Sequence, residues 1–229
     1  MRSAELAPHS ASLRMKFHHV PAPAGQPATR LWVMLPGAYM KPADFVSAGF
    51  VDALHQRGLS HAVALFEAGI PELADGSAQA ALHDFLQDQA GDPACRVSLL
   101  GISLGAHLAL ACLARSLAAG ADAALLLAPY LGPRDLVAQV ARAQTVAEIE
   151  QAIAARPDLD LEIWRWLRQP PSGAPQIFLG YGSGDRFAAA HALMAGTPAP
   201  HHVDVQPGGH DWPVWSALWT RHLDHFHAN

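Results

Sequence analysis

The stretch RVSLLGISLGAHLALACLA, residues 96–114, decides the fold. Its opening, 96–100, is short and mostly aliphatic, with no regular polar alternation. A strand covered on both faces reads this way. From Leu104 onward, alanine and leucine dominate, and both favour helix. Between the two stands Gly101-Ile102-Ser103-Leu104-Gly105, which has the G-x-S-x-G spacing. A chain that passes from strand to helix in so few residues must turn sharply. The turn holds Ser103 in a strained conformation with its hydroxyl above the sheet, and Gly101 and Gly105 omit Cβ atoms that would clash there. The helix N-terminus beneath Ser103 favours developing negative charge. Ser103 is therefore the candidate nucleophile.

Outward from this stretch, apolar runs alternate with helical patterns. Strands are expected at 13–20, 31–35, 62–66, 96–100, 123–127, 176–179 and 202–205. Helices are expected at 42–57, 77–89, 104–119, 187–194 and 211–225. This alternation predicts an α/β protein with a doubly wound, mostly parallel sheet. The Pro/Gly-rich PAPAGQPATR (21–30) lies between two strand signals and reads as a connecting loop rather than a polyproline ligand. Residues 134–172 break the alternation and read as a small helical lid of two or three helices. Thr145 with Glu148 makes a capping-box pattern, and Asp158 or Asp160 is placed to cap the following helix. The expectation is one domain over 1–229 with 134–172 inserted in it.

Composition excludes several classes. Hydrophobic residues make up 51% of the 229 and charged residues 15%, which is ample for a buried core. The net charge is −5, and no run of Lys or Arg offers a footprint for nucleic acid or an anionic membrane. The two cysteines, Cys95 and Cys112, lack metal or redox spacing and read as small buried hydrophobes. The N-terminal residues lack the apolar core of a signal peptide, and no stretch approaches a membrane span. A cytoplasmic protein without cofactor or metal is expected.

A serine hydroxyl needs a base. In sheets carrying such a serine turn, the partners follow in the order Ser, acid, His. The chain has 14 histidines, so position must decide. In HHVDVQPGGHDW (201–212) a strand ends near Val205, a Pro-Gly-Gly turn follows, and His210 precedes the final helix. His210 is the candidate base. His201 and His202 begin a strand. His222 and His225, three residues apart, read as a solvated helix end rather than a metal site. The orienting acid should follow the preceding strand, where IFLGYGSGDRF (177–187) offers Asp185. Its carboxylate would accept from the His210 Nδ1–H and fix the tautomer. Asp185 could instead cap the next helix, and Asp135 is its rival as the acid. Asp211 is better placed to cap the last helix.

Developing negative charge also needs donors. The backbone N–H of Leu104 is one. The loop 35–40, LPGAYM, should supply the second, with Ala38 the first choice and Tyr39 the fallback, and Gly37 allowing close approach.

With these residues in view, the chain resembles the α/β-hydrolase superfamily over nearly its whole length. More narrowly, it is similar to small bacterial serine hydrolases with GISLG, LLAPYLG, GYGxxDRF and GGHDW blocks, here at 101–105, 126–132, 180–187 and 208–212. The resemblance implies the triad Ser103, Asp185, His210. Many superfamily members carry His-Gly in the oxyanion loop where this chain has Pro36-Gly37. The nucleophile is serine rather than aspartate, which disfavours dehalogenase and epoxide hydrolase chemistry. The expected function is cleavage of a carboxylic ester or thioester of a small molecule through an acyl-enzyme. The alternatives are acyl transfer and a non-catalytic sensing role. Tyr39, Trp164 and Trp212 are candidates to line an apolar acyl site, and Trp166 divides between that role and the lid core.

Overall fold

A strand with neighbours on both edges and helices on both faces has no side left for water, so its side chains must be apolar throughout. The computed structural model, which describes residues 17–23, 27–89 and 96–226, places such strands at the centre. The seven strands are β1 (Phe17–Val20), β2 (Arg30–Leu35), β3 (His61–Phe66), β4 (Arg96–Ile102), β5 (Ala121–Leu127), β6 (Gln176–Gly182) and β7 (Pro200–Gln206). They form one sheet in the order β1-β3-β2-β4-β5-β6-β7. Only β1 runs antiparallel to its neighbour. In β4 every residue after Arg96 is buried, whereas the edge strand β7 has no buried residue.

The strand order also locates the site. From β2 the chain first builds one side of the sheet through β3, then returns to the other side through β4. The order thus reverses between β2 and β4, which lie side by side with Leu35 opposite Gly101. Ligands in open α/β sheets bind in the crevice at such a switch point, beyond the carboxyl ends of the strands. The loops leaving β2 and β4 are the oxyanion-loop candidate and the serine turn.

The helices are α1 (Pro42–Ser47), α2 (Phe50–Gln56), α3 (Ile70–Ala74), α4 (Ser77–Gln89), α5 (Leu104–Ala114), α6 (Arg134–Arg142), α7 (Val146–Ala155), α8 (Leu159–Arg168), α9 (Ala188–Ala195) and α10 (Trp212–Phe226). α5 packs with α4 and α8, and α10 packs with α2. Around α10, Trp219 meets Trp32 of β2 edge-on at 4.9 Å and stacks on Phe50 at 5.8 Å, while its indole N–H donates to the Phe50 carbonyl.

Several expectations change. The helix expected over 42–57 is two helices, because Gly49 takes a left-handed φ of 79° between α1 and α2. The helix expected to reach 119 stops at Ala114, where Ser116 adopts a φ of 58° and the chain turns towards β5. α3 was not expected, and it buries no residue, so it leaves no apolar stripe to read. The first strand is described from Phe17, and 13–16 lie outside the described residues, as does Cys95. Cys112 is fully buried on α5, and burial pushes its thiol up to about 12 against the opposing Arg115 charge.

Between β5 and β6 the chain forms α6, α7 and α8. Thr145 Oγ1 accepts from Glu148 N at 3.3 Å, and Glu148 reaches back to Gln144 N at 2.6 Å. Asp158, not Asp160, caps α8, its Oδ1 accepting from the N–H groups of Asp160 and Leu161.

Candidate active site

Ser103 sits between β4 and α5 with φ 53° and ψ −111°, a conformation L-residues rarely adopt. The surrounding backbone holds it there. Ser103 N donates to Leu127 O at 2.9 Å, and its own carbonyl accepts from His107 N at 3.0 Å and Tyr130 N at 3.1 Å. A Cβ at Gly101 would lie 2.5 Å from Ala106 Cα, and one at Gly105 would collide with the Leu35 carbonyl. Both glycines are therefore required by the turn and by the approach of α5 to the end of β2.

His210 lies in the loop after β7. That loop crosses close to the end of β6, since Gly184 N donates to Gly208 O at 2.8 Å, and a Cβ at Gly182 would strike the Gly208 carbonyl. The imidazole is thereby brought between its partners. Its Nδ1 donates to Asp185 Oδ2 at 2.7 Å, and its Nε2 is 3.0 Å from Ser103 Oγ, placed to accept the hydroxyl proton. Ser103 is 8% exposed and Asp185 5%, so the chain of hydrogen bonds is sheltered at both ends.

Asp185 serves both readings that its sequence position allows. One oxygen takes His210, and the other, Oδ1, accepts from Phe187 N at 2.8 Å at the start of α9. Burial works to raise the Asp185 carboxyl. The hydrogen bonds from His210 and Phe187 N–H, with the charges of His210 and His191, outweigh it and hold the group below its usual range. The rival, Asp135, is exposed in the first turn of α6 and makes no bond to His210. Asp211 caps α10, accepting from Val214 N at 3.2 Å.

His191 lies behind the acid. It is fully buried and bonds Pro129 O through Nε2 at 2.9 Å. Burial lowers its pKa, against the pull of Asp185 and the Pro129 bond. Among the described residues no group of three His, Cys, Asp or Glu side chains is placed to hold a metal.

The loop from β2 lies against the serine turn: a Cβ at Gly37 would be 3.2 Å from Ile102 O. The Gly37 N–H is taken by Met40 Sδ at 3.1 Å. Leu104 N–H, in the first turn of α5, has no acceptor within the helix. Tyr39 has φ 60° and is 92% exposed.

The aromatic expectations need correction. Trp164 does not line a site: it is fully buried on α8 and donates its indole N–H to Leu131 O at 2.9 Å. Trp166 is buried on the same helix, beside a hollow shared with Leu113 and Pro171. Trp212 packs on Phe45 and Phe50 rather than on the base. Tyr39 is exposed at the end of the loop after β2. The rings that hold His210 are Trp215, edge-on at 5.1 Å, and Phe187, edge-on at 5.5 Å. Phe187 stands two residues after the acid, and Trp215 lies one turn into α10. Their signal was proximity to the candidate residues, but Trp212, nearer in sequence, points to the core instead.

The sheet order, the serine turn and the loops that carry Asp185 and His210 together define the α/β-hydrolase fold, which this chain adopts. No protein-family model matches the sequence, and no curated protein matches it. Solved structures do. Fluorophosphonate-binding serine hydrolase F of Staphylococcus aureus, substrate bound, superposes with a TM-score of 0.62 at 12% identity, over 89% of this chain and 85% of that one. A monoacylglycerol lipase of Paleococcus ferrophilus gives 0.59 at 12% identity, over 91% and 96%. An acetyl ester-xyloside bifunctional hydrolase of Caldicellulosiruptor lactoaceticus gives 0.58 at 17% identity, over 93% and 89%. At such identities the likeness is one of fold.

Proposed function

We propose that the protein is a serine hydrolase that cleaves a carboxylic ester or thioester of a small molecule through an acyl-enzyme. The carrying observation is the unbroken line from Ser103 Oγ through His210 to Asp185, at 3.0 and 2.7 Å, on a serine held at φ 53°. Strain of this kind costs on the order of 1–3 kcal/mol and persists where function demands it.

Ser103 Oγ attacks the carbonyl carbon as its proton passes to His210 Nε2. The carbonyl oxygen gains negative charge and is received by the backbone N–H of Leu104 and of Ala38. Asp185 holds Nδ1–H and stabilises the imidazolium. His210 then gives the proton to the departing alcohol or thiol, leaving the acyl group on Ser103. Water, deprotonated by His210, attacks the acyl-enzyme and releases the acid, restoring Ser103. That solved neighbours of this fold bear the names of esterases and lipases agrees with this reading.

The test is labelling with a fluorophosphonate together with turnover of a short-chain activated ester. Stoichiometric labelling at Ser103, lost in Ser103→Ala and His210→Ala, is expected. Ser103→Ala should lower ester hydrolysis by about 10⁵–10⁶-fold. Absence of labelling in folded protein overturns the proposal. Labelling with a single turnover would indicate a sensor, and delivery of the acyl group to an added alcohol in preference to water would indicate an acyltransferase.

A further inference from the structure

A groove of about 650 Å³ runs between α6 and α9, within the range of roughly 300–1,000 Å³ typical of small-molecule sites. Its walls are apolar: Val137, Ala138 and Ala141 from α6, and Ala190 and Leu193 from α9. It adjoins the triad. Phe187 lines the groove and also stands edge-on to His210, and Arg186 follows Asp185 directly. Both helices begin at the triad end and run away from it, so Ala141 and Leu193 lie at the far end.

The near end is charged. Arg134 and Arg186 both line it, and the lining includes no carboxylate. Neither guanidinium has a carboxylate partner among the described residues. Arg186 rests on the Phe187 ring, its guanidinium carbon 4.8 Å from the centroid, so it is held at the mouth rather than swept into solvent. Arginine is the side chain suited to carboxylate or phosphate oxygens, which it binds in bidentate fashion.

We infer that this groove is the chain-binding subsite of the proposed hydrolase and that its ligand is an anionic amphiphile. An apolar acyl chain lies between α6 and α9, and a carboxylate or phosphate on the leaving group, close to the scissile carbonyl, meets Arg134 and Arg186. The inference rests on the hydrolase reading for its chemistry, but the binding half stands by itself.

Two ester series separate the parts: 4-nitrophenyl esters and 3-carboxy-4-nitrophenyl esters of matched straight acyl chains. Within each series kcat/KM should climb with chain length by up to about fourfold per methylene until the groove is full. At equal length the carboxylated esters should be favoured. Arg134→Gln with Arg186→Gln should cut the preference for the carboxylated over the neutral esters, the ratio of their kcat/KM values at equal length, roughly tenfold. The preference should also shrink with added salt. Ala138→Trp and Ala189→Trp, at exposed groove positions, should flatten the chain-length dependence while fluorophosphonate labelling of Ser103 persists. If labelling persists in the native protein but chain length has no effect, or both series respond alike to the arginine pair, the groove inference falls and the hydrolase reading stands. If nothing labels and no ester turns over, the hydrolase reading falls. The groove is then judged by calorimetry with decyl phosphate on the native protein. Binding that weakens in the double arginine variant supports it, and no binding overturns it.

Discussion

Asp185 carries two bonds on two oxygens, and the consequence is asymmetric for substitution. In Asp185→Asn the amide can still face Phe187 N with its oxygen, so α9 keeps its start. Its nitrogen would then face His210 Nδ1 and demand the wrong tautomer. The expected loss in kcat is about 10⁴, the handicap of a misprotonated base. Asp135→Asn, exposed on α6, should leave activity within about twofold, as surface changes do. Steady-state kinetics of the two variants decide the matter, and a crippled Asp135→Asn would move the acid. The carboxyl of Asp185 also contributes to folding. Its folded pKa is depressed, so this stability is present above the ordinary carboxylate value and is lost as pH falls through the lower folded one.

At the scale of elements, the segment expected to form a lid is not uniform. α8 is tied down by the Trp164 indole bond to Leu131 O, by the Arg115–Glu162 pair at 2.8 Å and by the approach of His107 to Asp160 at 3.7 Å. Burial lowers the His107 pKa while Asp160 pulls it up, and burial raises that of Asp160. α8 is thus fastened to α5 and its neighbours, and α6 is the element that borders the groove. Trp164→Ala should cost about 3–5 kcal/mol through the cavity it leaves, with a clear fall in Tm. Trp164→Phe should cost about 1–3 kcal/mol, because the Leu131 carbonyl loses its donor. Thermal or urea unfolding reads both. A Trp164→Ala variant of native stability would show that α8 is loosely attached after all.

At the scale of the whole molecule, pH acts through a histidine far from the chemistry. His61 is buried at the start of β3, and its Nδ1 accepts from the Trp32 indole N–H at 3.2 Å, which requires that nitrogen to be unprotonated. Burial first, and the Arg30 charge second, lower its pKa to about 4. In the unfolded chain it titrates at the ordinary value near 6.5. Between those values the unfolded chain binds a proton the folded one refuses, so stability is full above about 6.5 and declines as pH falls towards 4. The full loss is on the order of 3 kcal/mol. Urea unfolding at several pH values should show this slope in the native protein and a flatter one in His61→Gln. An equal slope in the variant would assign the pH dependence to other groups.

The sequence by itself determined the sheet and the serine turn. Short apolar runs alternating with helical patterns read as strands covered on both faces, and Gly101 and Gly105 flank a serine where side chains cannot fit. It also narrowed His210 and Asp185 to their loops, because the chain order after β4 leaves few loops at the carboxyl ends of the strands. Helix ends at Gly49 and Ser116 were not legible, since a single left-handed residue decides them and periodicity continues past it. The aromatic surroundings of the base were decided only in three dimensions. Trp212, Trp215, Trp164 and Trp166 are equivalent by composition, and which of them meets His210, the core or a backbone carbonyl depends on how α8 and α10 are rotated against the sheet. The groove between α6 and α9 belongs there too. Its walls come from segments about 50 residues apart, and neither carries a motif, so only their packing brings Arg134 and Arg186 to one end of an apolar channel.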